Sequence, residues 1–161
     1  LTIYLVRHGP AEERGGPGPD AERALTRPGK SKTKKAMKGF VRLGARPDLV
    51  LSSPLVRAWE TAEILAAALG RVGSSAGRPR VEEDLAPGGD ALALLHRLEA
   101  GPDAVALVGH EPDLSRLGAL LAGGVFELKK AGAARIDGAP SPGGGRLVWL
   151  ATPLLLRRLA R

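Results

Sequence analysis

Three short apolar runs constrain this chain more than any other feature: Thr2-Ile3-Tyr4-Leu5-Val6, Leu49-Val50-Leu51-Ser52 and Ala104-Val105-Ala106-Leu107-Val108. A strand with one wet face alternates apolar and polar residues, whereas a near-continuous apolar run must be covered on both faces. The segments between and after these runs carry helical spacing. Residues 28–44 place Met37, Phe40, Val41 and Gly44 toward a core, with Pro28 allowed in the first turn. Ser53-Pro54 reads as an N-cap and first helical residue, followed by the stripe Leu55, Ala58, Ala62, Leu65, Ala66 and Leu69 and a stop at Gly70. Residues 81–89 read as a short extended piece and turn, and 90–99 as a helix with Leu92, Leu95 and Leu98 on its apolar side. A helix over 113–122 follows the third run. Residues 133–137 and 146–151 read as antiparallel strands joined by the loop 139–145, and 154–159 as a short terminal helix. The order β-α-β-α-α-β-α-β-β predicts a three-layer α/β/α sandwich with a mostly parallel central sheet, a single domain over residues 1–161.

Composition enters as a set of exclusions. An apolar fraction of 43% supports a core at 161 residues. No apolar run reaches membrane-spanning length, and residues 1–6 are too short for a signal sequence. Cysteine is absent, so disulfides, thiolate metal sites and a cysteine nucleophile are excluded, and a cytoplasmic location is expected. The net charge of +7 suggests a nucleic-acid partner, but it is unevenly placed. Residues 27–46 hold eight bases (Arg27, Lys30, Lys32, Lys34, Lys35, Lys38, Arg42 and Arg46) and no acid, which leaves −1 on the rest of the chain. With only five aromatic residues for stacking bases, a nucleic-acid-binding module is the weakest reading.

Ligands of open parallel sheets bind beyond the carboxyl ends of the strands. Arg7-His8-Gly9 follows the first run, Ser52-Ser53-Pro54 closes the second with Arg57 a turn later, and Gly109-His110 follows the third. A parallel sheet gathers these ends on one edge, so two arginines and two histidines meet there beside two helix N-termini that favour anions. Arginine presents a fork matched to phosphate, and histidine serves as nucleophile or acid–base group near neutral pH. The edge therefore reads as a phosphate pocket with an imidazole nucleophile.

These residues carry a resemblance. Arg7-His8-Gly9, the stretch Ser52-Ser53-Pro54-Leu55-x-Arg57-Ala58-x-x-Thr61-Ala62, and Gly109-His110 resemble the histidine phosphatase superfamily, and Leu25-Thr26-x-x-Gly29 adds to the likeness. The resemblance spans roughly residues 1–122. Without a cap-like insertion, the chain is most similar to the small SixA-like phosphohistidine phosphatases within the phosphoglycerate mutase-like fold. It implies that His8 is phosphorylated, that Arg7, His8, Arg57 and His110 bind the phosphoryl group, and that neither metal nor cofactor is needed. The implied partner is a phosphorylated protein domain or a small phosphorylated substrate. Relatives acting on alcohol esters use a carboxylate as general acid, and Asp84, with Glu83 as the alternative, occupies the matching region. Pro10, Ala11, Glu12 and Glu13 depart from the family pattern after Arg-His-Gly, and Glu60 replaces a common Gln with little expected consequence. His96 reads as a solvated helix residue and Asp90 as a helix cap. Gly143–Gly145 lack the Lys-Ser/Thr of a phosphate-binding loop. The basic helix reads either as a solvated face or as a docking site for an acidic partner.

Overall fold

A computed structural model describes residues 1–98 and 100–161. Glu99, the last residue of the expected 90–99 helix, lies outside the described residues. Strands β1 (Thr2–Arg7), β2 (Leu49–Ser52), β3 (Arg80–Val81), β4 (Ala104–Gly109), β5 (Ala133–Gly138) and β6 (Gly145–Ala151) form one six-stranded sheet in the order β3-β2-β4-β1-β5-β6. Neighbouring pairs among β1, β2, β3 and β4 run parallel, and β5 runs antiparallel to both β1 and β6. The expected mostly parallel sheet is therefore present, with no cap domain.

The apolar runs behave as their composition requires. Side chains alternate across a strand, so β1 sends Tyr4 and Val6 to one face and Ile3 and Leu5 to the other, and all four are buried. The Tyr4 face is covered by α1 (Arg27–Arg42), α2 (Val56–Gly70) and α5 (Pro153–Leu159), and the Ile3 face by α3 (Ala91–Leu98) and α4 (Asp113–Ala122). Phe40 of α1 stands edge-on to Tyr4 at 5.2 Å between ring centroids and to Trp149 at 6.1 Å. Emptying that position would cost about 3–5 kcal/mol. Gly39 lets α1 approach α5, because a Cβ there would stand 1.8 Å from the Leu156 carbonyl oxygen.

Some boundaries differ from expectation for local reasons. Helix α1 ends at Arg42, and Gly44 is an exposed residue at φ +87° rather than part of the core stripe. Helix α2 begins at Val56, not Pro54. Ser53 continues the strand geometry, its N–H donating to the Val108 carbonyl at 2.9 Å, so it is not the N-cap. The 81–89 piece reduces to the two residues of β3 and a single 3-10 turn at Glu83–Leu85. On α3, Leu94 joins Leu95 in full burial, while Leu92 and Leu98 pack only partly against the core. Asp90 does cap this helix, its carboxylate accepting from the Ala93 N–H at 2.9 Å.

Candidate active site

The carboxyl ends of β1, β2 and β4 open on one edge, and the register Arg7↔Gly109 and Ser52↔Val108 brings their trailing residues together. His8 and His110 lie with ring centroids 5.2 Å apart, and both are buried. Backbone bonds hold the end of β1 from both sides. The His8 N–H donates to the Gly109 carbonyl at 3.1 Å, and the Ala131 N–H donates to the Arg7 and His8 carbonyls at 3.2 and 3.0 Å. Gly9 is required by space: a Cβ there would stand 2.0 Å from the Thr33 hydroxyl. Its N–H donates to the Thr61 hydroxyl at 3.0 Å, and that hydroxyl donates to the Arg57 carbonyl at 2.8 Å. One threonine thus ties the loop after β1 to the turn of α2 that carries Arg57.

The His8 ring is held in a single tautomer. Its Nδ1 lies 2.7 Å from the Gly9 carbonyl oxygen, a contact that requires a proton on Nδ1 and leaves the lone pair on Nε2. Burial pushes its pKa down to about 3. The Gly9 carbonyl opposes that shift, and the nearby His110, Arg57 and Arg7 reinforce it. His8 is therefore neutral at physiological pH although it sits among cations. Burial likewise lowers His110 to about 4, with Arg57 adding to the shift and Asp113 and Asp20 opposing it.

Ser53 positions His110. The Ser53 hydroxyl oxygen accepts the Leu55 N–H at 3.2 Å and lies 2.7 Å from His110 Nε2. When Ser53 donates its proton to Nε2, the imidazole proton resides on Nδ1, a buried atom with no partner among the described residues. The buried Nε atoms of Arg7 and Arg57 likewise have no partner among the described residues. Orphaned buried donors are costly unless a ligand satisfies them.

Each arginine is also anchored. Arg7 Nη1 donates to the Leu128 carbonyl at 2.9 Å. Leu128 is itself held through its N–H to the Ser115 hydroxyl at 3.2 Å, and that hydroxyl donates to Glu111. Arg57, almost wholly buried, directs Nη1 to the Asp20 carbonyl at 2.9 Å and Nη2 to the Asp20 carboxylate at 3.2 Å. Arg23 grips the same carboxylate at 2.7 Å. Burial lowers the pKa of both Arg7 and Arg57, but arginine stays charged at neutral pH.

The fifth expected site residue, Asp84, is held in an ion pair. Asp84 lies in the 3-10 turn after β3, and its carboxylate pairs with Arg97 of α3 at 2.5 Å, while Arg97 also reaches Glu82 at 3.8 Å. Glu83, in the same turn, is exposed. Glu60, for which little consequence was expected, accepts the Leu25 N–H at 3.0 Å and pairs with Lys30 at 2.7 Å, fastening the entry of α1 to α2. Sequence reading missed Ser53, Asp20, Asp113 and the Leu128 carbonyl. Only Ser53 lay within a quoted motif, where it read as a helix cap. Among the described residues no group of three His, Asp or Glu side chains is placed to hold a metal ion, and no helix is long and apolar enough to cross a membrane.

Residues 3–86, which hold Arg7, His8 and Arg57, match the model of the histidine phosphatase superfamily (branch 1). The chain belongs to this superfamily. A protein of Picosynechococcus sp. with no characterized activity is 42% identical over 140 residues, covering 82% of each chain. The protein histidine phosphatase SixA, solved with tungstate, superposes with a TM-score of 0.83 at 25% identity over 97% of this chain and 99% of that one. A SixA structure from Agrobacterium tumefaciens gives a TM-score of 0.77 at 22% identity, covering 94% and 97%. A mycobacterial glucosyl-3-phosphoglycerate phosphatase gives 0.69 at 21% identity, covering 94% and 99%. The chain is a SixA-like phosphatase with the phosphoglycerate mutase-like fold.

Proposed function

We propose that this phosphatase dephosphorylates phosphohistidine on a protein through a phosphohistidine intermediate at His8. The observation that carries the reading is the neutral, buried His8 imidazole, its Nδ1 proton committed to Gly9 and its Nε2 left among the guanidiniums of Arg7 and Arg57. In the first step Nε2 forms a bond to phosphorus while the phosphorus–nitrogen bond of the substrate breaks. The imidazole that leaves needs no proton in this step when its far nitrogen already carries one. The His8 ring gains positive charge, which the Gly9 carbonyl stabilises through Nδ1–H. In the second step water attacks phosphorus, the Nε2–phosphorus bond breaks, inorganic phosphate departs and His8 returns to neutral. Arg7, Arg57 and the His110 Nδ1–H stabilise the charge that builds on the phosphoryl oxygens, which is where catalysis of phosphoryl transfer resides.

Asp20 already occupies part of the Arg57 fork. The Asp20 carboxylate and carbonyl occupy its Nη atoms, so substrate either displaces that contact or binds through the free Nε edge.

A small phosphomonoester is the second reading, favoured by the shared fold of the mycobacterial glucosyl-3-phosphoglycerate phosphatase. An alkoxide is a poor leaving group and needs a general acid, whose contribution is about 10²–10⁴-fold. Asp84, the candidate acid, would first have to leave Arg97. Turnover of a phosphohistidine peptide and of an alkyl phosphate, each with the parent and with Asp84→Asn, separates the readings. The proposal expects the peptide to be preferred and barely affected by the substitution. Efficient ester hydrolysis abolished by Asp84→Asn would establish the second reading instead.

A further inference from the structure

Outside the catalytic edge, a groove of about 690 Å³ runs between α1 and α2. Its floor is apolar, formed by Val41, Ile64, Ala67, Ala68 and Val72. Val72 is 48% exposed, an apolar surface left open to water. Lys34, Lys35, Lys38 and Arg42 rise along the α1 wall and Arg71 along the α2 wall. Six bases, including Lys30, and two acids line it, a balance of +4. One acid, Glu60, is already spent on Lys30 at 2.7 Å. The like charges of Lys30, Lys34 and Lys38 at i, i+4 and i+8 oppose helix formation, and only Lys30 is relieved by that pair.

We propose that this groove docks an acidic amphipathic helix of the phosphorylated substrate protein, a proposal that rests on the phosphohistidine reading. Three features select this occupant. The first is charge complementarity: bases on both walls and an apolar floor match a helix with apolar residues on one side and carboxylates flanking them. The second is shape. The floor runs lengthwise between two helices, a shape that matches a rod. From Lys30 to Arg42 the α1 wall extends about 18 Å at the rise of an α-helix, the length of roughly three turns. The third is continuity with the site. Glu60, at the upper end of the groove, lies three residues after Arg57 on the same helix, and it also holds Leu25 beside the loop that follows His8. A partner seated here presents a phosphoryl group to the strand ends from the same side. Contacts of this kind steer encounter and set register, and they weaken with salt.

The probe is a synthetic helix with Leu at i, i+3, i+4 and i+7 and Glu around them, compared with its scrambled isomer, with phosphatidylglycerol vesicles and with single-stranded RNA. Backbone NMR of the labelled protein should show shifts confined to residues of α1 and α2 that line the groove. Affinity should fall at least tenfold in the double variant Lys34→Glu/Lys38→Glu and in Ala67→Arg, all at exposed positions. Fusing the helix to a phosphohistidine peptide should lower its KM at least fivefold in the parent and not in the variants, while hydrolysis of free phosphoramidate stays within twofold. Equal binding of the scrambled isomer would overturn the proposal in favour of unspecific charge. Vesicles or RNA displacing the helix from the groove would overturn it in favour of that ligand. Unhydrolysed phosphohistidine peptide with the helix still bound in the groove would remove the functional reading and the substrate role of the groove, whereas normal hydrolysis without helix binding would remove the groove proposal alone.

Discussion

Positive charge is concentrated in two regions of this molecule, and they differ in every physical respect. At the strand ends Arg57 is buried and Arg7 partly so, and each is anchored by a carbonyl and left with a buried Nε that has no partner among the described residues. Along α1 the lysines are exposed, and apart from the Lys30–Glu60 pair they face one another within the helix rather than acids. The first region contributes two of the 24 bases, the two to which the proposed mechanism assigns phosphate binding; the second sets the net charge and the isoelectric point. A cation counts for chemistry when the fold has stripped it of water and given it a direction, because a hydrated charge is screened within about 10 Å.

Breaking the first region should have the larger effects. His8→Ala should abolish turnover in a continuous phosphate-release assay. Arg57→Ala should lower kcat/KM about 10²–10³-fold, the usual cost of removing one donor to a developing oxyanion. An effect below tenfold would mean that the guanidinium is structural. Ser53→Ala reaches the site through His110, and a lost hydrogen bond of this kind costs about three- to tenfold. Ser53→Thr should restore activity, and the alanine variant should shift the His110 imidazole resonances, a change that mere loss of packing would not produce.

Asp20→Asn should act in the opposite direction. It removes a carboxylate, half exposed on its own side, from the buried Arg57 fork. Inorganic phosphate or tungstate should then bind about two- to fivefold more tightly by calorimetry, in keeping with the modest strength of exposed ion pairs. Unchanged affinity would show that substrate does not compete with Asp20.

A separate effect falls on stability. His8 falls from about 6.5 in an unfolded chain to about 3 in the folded one. Between those values the unfolded state binds more protons, so stability is present above the unfolded value and is lost as pH falls through this window. Urea unfolding of His8→Gln should therefore lose stability less steeply than the parent as pH drops from about 6.5 toward 4. Parallel profiles would contradict a neutral buried His8.

Much of this difference between the two regions was legible in the sequence. The continuous apolar runs demanded a sheet covered on both faces, and the residues trailing them had to meet on one edge. That is why Arg7, His8, Arg57 and His110 could be placed together before any coordinates. Ser53 was misread because the Ser-Pro signal of a helix start is local, while its real partners, Val108 and His110, arrive from a strand distant in sequence. Asp20 was hidden in a Gly- and Pro-rich loop with no periodicity to aim a side chain. Asp84 was chosen by position along the chain, and nothing in the sequence announced that Arg97, a turn and a helix later, would hold its carboxylate. The lysines of α1 were visible as a charge run, but the apolar floor between α1 and α2 required the packing of two helices.

The most direct test is to trap the intermediate. The protein is incubated with a ³²P-labelled phosphoramidate, quenched in base, and the label on the chain is mapped by proteolysis. The account predicts acid-labile, base-stable label on the peptide containing His8 in the parent and none in His8→Ala. Label on another residue, or label that persists in His8→Ala, would contradict it.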